Sequence, residues 1–253
     1  MKVCVLSSGS KGNCTYVETS NHKILIDVGT SFAYITNSLK EIGTSIEEID
    51  TILITHTHDD HVHSLKAITR RYNVNVYISE LMVSELKFEL TDYIEPTEKI
   101  YLDDTIITTI KTSHDRLDSN AYLISENDIN ILYITDTGYI NQKYFEEFKN
   151  LDLYIFESNH DIPMLMHGKK RYDIRMRVLG DEGHLSNIQA SEYLNDFIGD
   201  KTKYVILAHI SEDDNTEELA LSTLSDKLKE NNKSFDNVIA ARQNVRTELI
   251  ELW

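Results

Sequence analysis

Three histidines and two aspartates are crowded into residues 56–61, directly after an apolar run at residues 50–54. The apolar run predicts a β-strand, and a strand end that feeds a loop can aim alternate side chains into one cavity. The crowded segment has the pattern His-x-His-x-Asp-His, and imidazole and carboxylate groups bind divalent cations. The segment therefore predicts a metal site, and the alternative is a solvated loop that carries surface histidines.

Further candidate metal ligands follow three later predicted strands. His114 comes after a strand ending near residue 110, Asp136 after one ending at residue 134, and His209 after one ending at residue 207. Strand ends of an α/β fold converge on one edge, so residues distant in sequence can share a cavity. Taken singly, each histidine also fits an ordinary hydrogen-bonded role, and Asp136 fits a turn. Together they strengthen the prediction of a metal site.

The composition fits a folded protein with an acidic surface. Hydrophobic residues make up 41% of the 253 residues and charged residues 26%, as in an ordinary globular protein. No apolar run approaches the ~18 residues of a membrane span, and residues 3–6 are too short for a signal peptide. These features predict a cytoplasmic protein without a membrane segment. Cys4 and Cys14 are too few for a disulfide framework and are predicted to be packed thiols.

The net charge of −17 argues against a broad surface that binds nucleic acid by non-specific electrostatics. One local exception lies at residues 169–177, and its basic residues are Lys169, Lys170, Arg171, Arg175 and Arg177. A helix is predicted over residues 164–179, and on it Arg171 and Arg175 would face the same way. The segment predicts either a contact for a polyanionic substrate or a solvated helix face.

Predicted strands and helices alternate along the chain, which indicates an α/β fold. Helices are predicted over residues 79–90, 164–179 and 186–197, a hairpin over 120–134, and closing strands at 237–240 and 246–252. Without repeats or linkers, residues 1–253 are predicted to form one domain. The loop at residues 7–13 is rich in glycine and serine, so it fits either an anion-binding cradle or a plain hairpin.

The sequence resembles the metallo-β-lactamase-fold hydrolases. The matching features are Leu-Ile-Asp-x-Gly at residues 25–29, the histidine segment at 56–61, and then His114, Asp136 and His209. The resemblance implies an αβ/βα four-layer sandwich with two divalent metal ions, zinc or manganese. It assigns His56, His58 and His114 to one ion, Asp60, His61 and His209 to the other, and Asp136 to both.

Within that superfamily the chain is most similar to the compact YycJ-like branch, which is regarded as nucleases. The motifs that carry this similarity lie at residues 7–13, 157–161, 183–187 and 208–211. There is also similarity to transfer-RNA 3′-processing enzymes of the fold, in which a glutamate pairs with a histidine on a later loop. Glu157 and His184 match those two positions.

A two-metal site with such a pair suits phosphodiester hydrolysis. Two cations about 3.5–4 Å apart can bind a hydroxide and a phosphate oxygen and so promote in-line displacement. We expect Asp60 to position the attacking hydroxide. We expect Glu157 to orient His184, and His184 to protonate the leaving oxygen. The alternative is that Glu157 and His184 make structural hydrogen bonds only.

The predicted function is therefore a metal-dependent nuclease, and the resemblance favours 5′-to-3′ exonuclease action on DNA. An RNA-processing nuclease, a thioester or lactam hydrolase, and a metal-dependent regulatory binding protein are the alternatives. The sequence leaves the oligomeric state open. The residues predicted to bind the substrate are Ser8, Asn13, Lys170, Arg171, Arg175, Ser186 and Asn187.

Overall fold

The computed structural model describes residues 1–253 and contains two mixed β-sheets. Strands are numbered along the chain. The first sheet contains β1 (Lys2–Ser7), β2 (Cys14–Glu18), β3 (Lys23–Ile26), β4 (Thr51–Leu53), β5 (Asn75–Tyr77) and β13 (Ile250–Glu251). Its spatial order is β13-β1-β2-β3-β4-β5, and only β3-β4 and β4-β5 are parallel pairs.

The second sheet contains the other seven strands. They are β6 (Lys99–Leu102), β7 (Thr105–Lys111), β8 (Asn120–Glu126), β9 (Ile129–Ile134), β10 (Leu153–Glu157), β11 (Tyr204–Ala208) and β12 (Val238–Ala240). Their spatial order is β12-β11-β10-β9-β8-β7-β6, antiparallel from β6 to β9 and parallel from β9 to β12.

Nine α-helices connect and cover the strands. They are α1 (Phe32–Glu41), α2 (Asp59–Val62), α3 (Leu65–Thr69), α4 (Glu80–Glu85), α5 (Phe145–Phe148), α6 (Ile162–His167), α7 (Tyr172–Leu179), α8 (Asn187–Phe197) and α9 (Glu217–Glu230). Short 3-10 helices lie at Ile46–Glu48 and Gln142–Tyr144. None of the helices combines the length and the apolar character needed to cross a membrane.

The side chains of β10 show how the layers form. Leu153 and Ile155 pack into the core between the two sheets, whereas Tyr154 and Phe156 pack on the opposite face beneath α8 and α9. Successive side chains of a strand point to opposite faces, so a strand of apolar residues packs into a separate core on each face of its sheet. A third core lies between the first sheet and its helices, and includes Leu25 and Ile52. The resulting order of helix, sheet, sheet and helix confirms the predicted four-layer sandwich.

Two predicted helices are wrong in extent. The helix predicted over residues 164–179 is divided into α6 and α7, because Gly168 and Arg171 adopt extended conformations between them. The helix predicted to run to residue 90 ends at Glu85 with α4. Beyond it, Leu86, Phe88 and Leu90 pack against the core at every second position, which is the spacing of an extended chain.

Smaller differences concern the edges of the sheets. The sequence prediction missed β6, a short edge strand that alternates exposed and buried residues. The closing strand predicted over residues 246–252 contains only two residues as β13. Cys4 and Cys14 lie on neighbouring strands as buried free thiols, as predicted.

Candidate metal centre and active site

The predicted ligands meet at an edge shared by the two sheets. Each segment that carries them follows a strand end: His56 follows β4, His114 follows β7, Asp136 follows β9 and His209 follows β11. The structure brings all seven predicted ligands, together with Glu157 and His184, into overlapping groups whose ligand atoms lie within 4.8 Å of one another. The side chains that the sequence singled out thus lie together, and their role as metal ligands stays a prediction.

Three buried residues at these strand ends have left-handed backbone conformations. The φ angles are 58° at Asp27, 57° at Asp136 and 53° at His209. Aspartate and histidine tolerate this region better than most residues, but it still costs free energy. The fold therefore uses strained backbone to turn Asp136 and His209 into the cluster and Asp27 toward His61.

The ligand loop at residues 56–61 is held against the first sheet by its backbone. Asn13 donates its backbone N–H to the oxygen of Asp60 at 2.8 Å, and Val28 donates to the oxygen of His61 at 2.9 Å. A Cβ atom on Gly29 would lie 1.5 Å from the Asp60 oxygen, so only glycine fits there. The loop position thus depends on a close backbone contact.

Three imidazoles converge on one side of the cluster. The Nδ1 atom of His58 lies 2.9 Å from Nε2 of His56 and 3.2 Å from Nε2 of His114. His114 donates from Nδ1 to the Gly183 backbone oxygen at 3.2 Å, so its Nε2 offers a lone pair to the centre. Burial lowers the pKa of His56 well below its usual range, and burial together with His114 lowers the pKa of His58 to about 4. Neutral imidazoles are the form that binds cations.

Carboxylates dominate the other side of the cluster. The Nε2 atom of His61 lies 3.4 Å from Oδ2 of Asp136 and 3.5 Å from Oδ2 of Asp60. Burial opposes the charged form of His61, but Asp27, Asp136 and Asp60 outweigh it and raise its pKa to about 9. This half of the cluster is therefore rich in negative charge, and a bound cation would balance it.

Two buried atoms support a metal in this cluster. Oδ2 of Asp136 and Nε2 of His209 are buried without a hydrogen-bond partner. Buried polar atoms are almost always paired, so an unpaired carboxylate oxygen and ring nitrogen at one site indicate a missing partner. A divalent cation fits both, since oxygen and imidazole nitrogen are its usual protein ligands.

Asp27 orients His61 from behind. Its Oδ2 accepts hydrogen bonds from Nδ1 of His61 and from the Thr55 hydroxyl, both at 2.8 Å, and its Oδ1 accepts the Thr55 backbone N–H at 2.8 Å. A carboxylate on the outer nitrogen fixes the tautomer and the ring of a ligating histidine. Sequence reasoning placed Asp27 only within the motif at residues 25–29, although an acid at the end of a predicted strand was the available signal.

Glu157 and His184 form the predicted pair. Oε1 of Glu157 lies 2.8 Å from Nδ1 of His184 and 3.0 Å from Nδ1 of His209, and Oε2 accepts the backbone N–H groups of Thr137 and Leu185. Burial opposes ionisation, but His184 and His209 hold the pKa of Glu157 well below its usual range. The His184 side chain is 16% exposed, so it links a buried carboxylate to the surface of the site.

The loop residues predicted to bind the substrate have contacts within the protein. The Ser8 hydroxyl accepts the backbone N–H of His209 at 2.7 Å, and the Asn13 amide lies 3.2 Å from Oδ2 of Asp60 and 3.0 Å from Nε2 of His61. Ser186 caps α8, and Asn187 is buried between Ser158 and Asn215. Ser8 and Asn13 thus contact the cluster, and a role in substrate binding stays a prediction for all four residues.

The basic residues predicted to bind the substrate are only partly free. Lys170 pairs with the buried carboxylate of Asp214, and Arg175 donates to the Met166 backbone oxygen. Arg171 is exposed and contacts only the exposed Asp173, at 3.1 Å. None of the three has a hydrogen bond or ion pair with the cluster of predicted metal ligands. Their role in substrate binding stays a prediction.

A cavity of about 560 Å³ opens beside the cluster. Its lining residues are Thr57, His58, Asp59, Asp60, Glu85, Lys87 and Arg116. The acids other than Asp60 are already engaged, because Glu85 accepts the Thr57 hydroxyl and Asp59 pairs with Lys87. The Arg116 guanidinium has no hydrogen bond or ion pair within the chain and is free to bind an anion. Sequence reasoning missed Arg116, whose only signal was its place two residues after His114.

Comparison with known proteins identifies the family of this chain. Residues 22–210 match the family model described as a beta-lactamase superfamily domain. The chain belongs to the metallo-β-lactamase superfamily. It is 34% identical over 236 residues to the exodeoxyribonuclease WalJ of Streptococcus pneumoniae, covering 90% of this chain and 88% of WalJ. It is also 34% identical over 235 residues to the exodeoxyribonuclease YycJ of Bacillus anthracis, covering 89% and 88%. Both matches place it in the YycJ-like branch of the superfamily.

A solved structure of the metallo-β-lactamase fold is also similar to this chain. The fold protein YhfI of Bacillus subtilis aligns over 98% of this chain and 99% of its own, with a TM-score of 0.72 and 15% sequence identity. At this identity the similarity extends to the fold alone.

Proposed function

We propose that this protein is a two-metal phosphodiesterase that degrades DNA as a 5′-to-3′ exonuclease in the cytoplasm. The observation that carries the proposal is the Glu157–His184 pair beside the ligand cluster. A thioester hydrolase needs no proton donor for its thiolate leaving group, whereas a phosphodiester releases an alkoxide that does. The relatives WalJ and YycJ are exodeoxyribonucleases, which supports DNA as the substrate.

The chain's donor atoms suit two divalent cations, zinc or manganese. His56, His58 and His114 would hold one cation, Asp60, His61 and His209 the second, and Asp136 would contact both. When bound, such a pair supplies water activation and neutralises negative charge on a phosphodiester. The protein's own contribution is to fix these side chains through Asp27, Gly183 and the strained strand ends.

His184 is the proposed general acid. Its Nδ1 is engaged by Glu157, so Nε2 is the nitrogen left to donate a proton to the leaving oxygen. Glu157 accepts from Nδ1 of His184 through one oxygen, and its second oxygen is fixed by two backbone N–H groups. The carboxylate therefore orients the ring with Nε2 directed away from Glu157.

Asp60 is proposed to orient the attacking water, and four basic residues are proposed to hold the DNA strand. Asp60 lines the cavity and would accept a hydrogen bond from the attacking water, which orients it. Arg116 would bind a neighbouring phosphate in the same cavity, because phosphate contacts from arginine position a nucleic-acid strand. Lys170, Arg171 and Arg175 are proposed to hold the strand farther away.

Digestion of labelled nucleic acids tests this function. Single-stranded and duplex DNA and RNA, labelled at either end, are incubated with the protein in zinc or manganese. We expect mononucleotides to be released from the 5′ end of DNA, and Asp60→Ala to abolish the release. Cleavage of RNA alone, release from the 3′ end, or thioester turnover without polymer cleavage would each contradict the proposal.

A further inference from the structure

Asp115 is a partly buried carboxylate beside the three converging imidazoles, with one buried oxygen that no hydrogen bond satisfies. This oxygen, Oδ1, lies 3.3 Å from Nε2 of His58. The other oxygen, Oδ2, lies 2.7 Å from a guanidinium nitrogen of Arg177 on α7. The carboxylate thus connects a predicted metal ligand to the basic segment of the chain.

The two nitrogens of His58 face opposite directions. Nδ1 faces the ring nitrogens of His56 and His114, which leaves Nε2 on the outer side. In metal sites the outer nitrogen of a histidine usually donates its proton to a carboxylate or a carbonyl, which holds the ring in place. Asp115 is the carboxylate at that position.

Asp115 also lies near His114, at 3.5 Å from its Nε2. His114 is already oriented by the Gly183 backbone oxygen at Nδ1, and its Nε2 faces the centre. The outer nitrogen of His58 has no other partner within the chain, and it is the nearer of the two nitrogens. The geometry therefore assigns Asp115 to His58.

Arg177 determines which way the Asp115 carboxylate points. By binding Oδ2, the guanidinium leaves Oδ1 turned toward His58. The Arg177 side chain is 55% exposed, so this contact lies at the rim of the site. The last arginine of the basic segment is thus engaged with the metal-binding side of the protein and is not a free surface charge.

We propose that Asp115 is a positioning residue for His58, held by Arg177, and that it sets the affinity of the His56–His58–His114 group for its cation. The inference rests on the metal-binding part of the proposed function but not on the choice of substrate. Its test therefore measures zinc binding instead of nuclease activity.

Metal-free protein is titrated with zinc against a chromophoric chelator. We expect the parent to bind two equivalents. Asp115→Ala should bind one of them about 10- to 100-fold more weakly, which is the usual cost of removing such a partner, and the other unchanged. Arg177→Ala should weaken the same equivalent by a smaller factor, because Asp115 remains but is no longer fixed.

Asp118→Asn is the matched control. Asp118 lies in the same loop and pairs with Lys111, and its side chain is only 10% exposed, but it contacts no ligand. We expect it to bind zinc like the parent. Unchanged zinc affinity in Asp115→Ala, equal weakening of both equivalents, or the same loss in Asp118→Asn would overturn the inference.

Two further measurements keep the test decisive. If Asp115→Ala lowers the melting temperature of the metal-free protein by more than Asp118→Asn does, Arg177→Ala decides instead, and parent-like affinity in that variant overturns the inference. If the parent binds two zinc ions but does not cleave DNA, the proposed nuclease function is rejected and this inference stands. A parent that binds no zinc would overturn this inference and the two-metal site together.

Discussion

Two histidines of the cluster are each backed by a carboxylate, but in contrasting surroundings. His61 and Asp27 are completely buried, 2.8 Å apart, and Asp27 is fixed further by Thr55. His58 and Asp115 lie at the rim, 3.3 Å apart, and Asp115 depends on the exposed Arg177. The Asp115 side chain is 24% exposed, whereas that of Asp27 is inaccessible.

The difference separates two ways of preparing a ligand. Folding of the core fixes His61, so its position is set before any cation or substrate arrives. A surface ion pair fixes His58, and such pairs contribute little and respond to solvent. Glu157 and His184 form a third arrangement, in which the carboxylate is buried and the histidine reaches the surface. We expect variants of the three pairs to affect different properties. Variants of Glu157–His184 should change the cleavage rate, variants of Asp27–His61 the stability, and variants of Asp115–His58 the metal affinity.

The largest effect is expected at the third pair. His184→Ala should lower the rate of DNA cleavage about 10²–10⁴-fold, the usual contribution of a general acid. It should lower hydrolysis of bis-p-nitrophenyl phosphate much less, because p-nitrophenolate leaves without a proton. Comparing kcat on the two substrates at equal metal content measures this. His167→Ala, an exposed histidine on α6, should match the parent, and equal losses on both substrates would show a structural role.

The buried pair should affect folding most. Asp27→Asn in the metal-free protein should lower the free energy of unfolding by about 3–5 kcal/mol, because it removes the carboxylate charge that faces the buried His61. Asp115→Asn should lower it by no more than about 1 kcal/mol, as for an exposed pair. Urea denaturation of both variants measures the difference. Similar values would remove the distinction between core and rim.

A smaller effect is expected at Arg116, the unpaired arginine that lines the cavity. Arg116→Ala should raise KM for DNA about tenfold, because a hydrogen bond to a charged group contributes about 1.5–3 kcal/mol. Arg171→Ala should raise KM by less, since Arg171 lies outside the cavity. Arg70→Ala, another exposed arginine without a partner, should match the parent. If Arg171→Ala has the larger effect, the strand follows the basic segment instead.

The smallest effect should come from salt. Raising the ionic strength from about 0.05 to 0.5 M screens the exposed Arg177–Asp115 pair but not buried contacts. In the parent, the zinc equivalent that Asp115→Ala weakens should therefore lose about twofold more affinity than the same equivalent does in Arg177→Ala. Zinc titrations at the two salt concentrations measure this difference. Equal salt dependence in both proteins would show that the pair does not support His58.

The members of the cluster could be predicted because each marks the end of an apolar strand. An apolar run and the polar residue that follows it are local features, so they can be recognised in the sequence without knowledge of the fold. The residues alone predicted only an α/β fold, and the four-layer arrangement was implied by the resemblance to the superfamily; apolar strands such as β10, whose two faces are both covered, agree with it. These features do not depend on details of packing.

The partners behind the ligands could not be predicted in the same way. Asp27 and His61 are 34 residues apart, and Asp115 and Arg177 are 62 apart, so each pair exists only when elements dock. The break between α6 and α7 was missed because residues 164–179 keep a helical composition across Gly168. Which acid meets which base is decided by tertiary structure, and pattern alone leaves it open.

The close contact at Gly29 has a consequence for judging relatives of this protein by their sequences. The backbone oxygen of Asp60 occupies the place where any side chain at residue 29 would begin. Gly29→Ala would push the whole ligand loop outward while leaving every metal ligand chemically intact. A relative can therefore carry all seven ligands and still be unable to assemble them. An inventory of ligands should include this residue, which binds nothing itself.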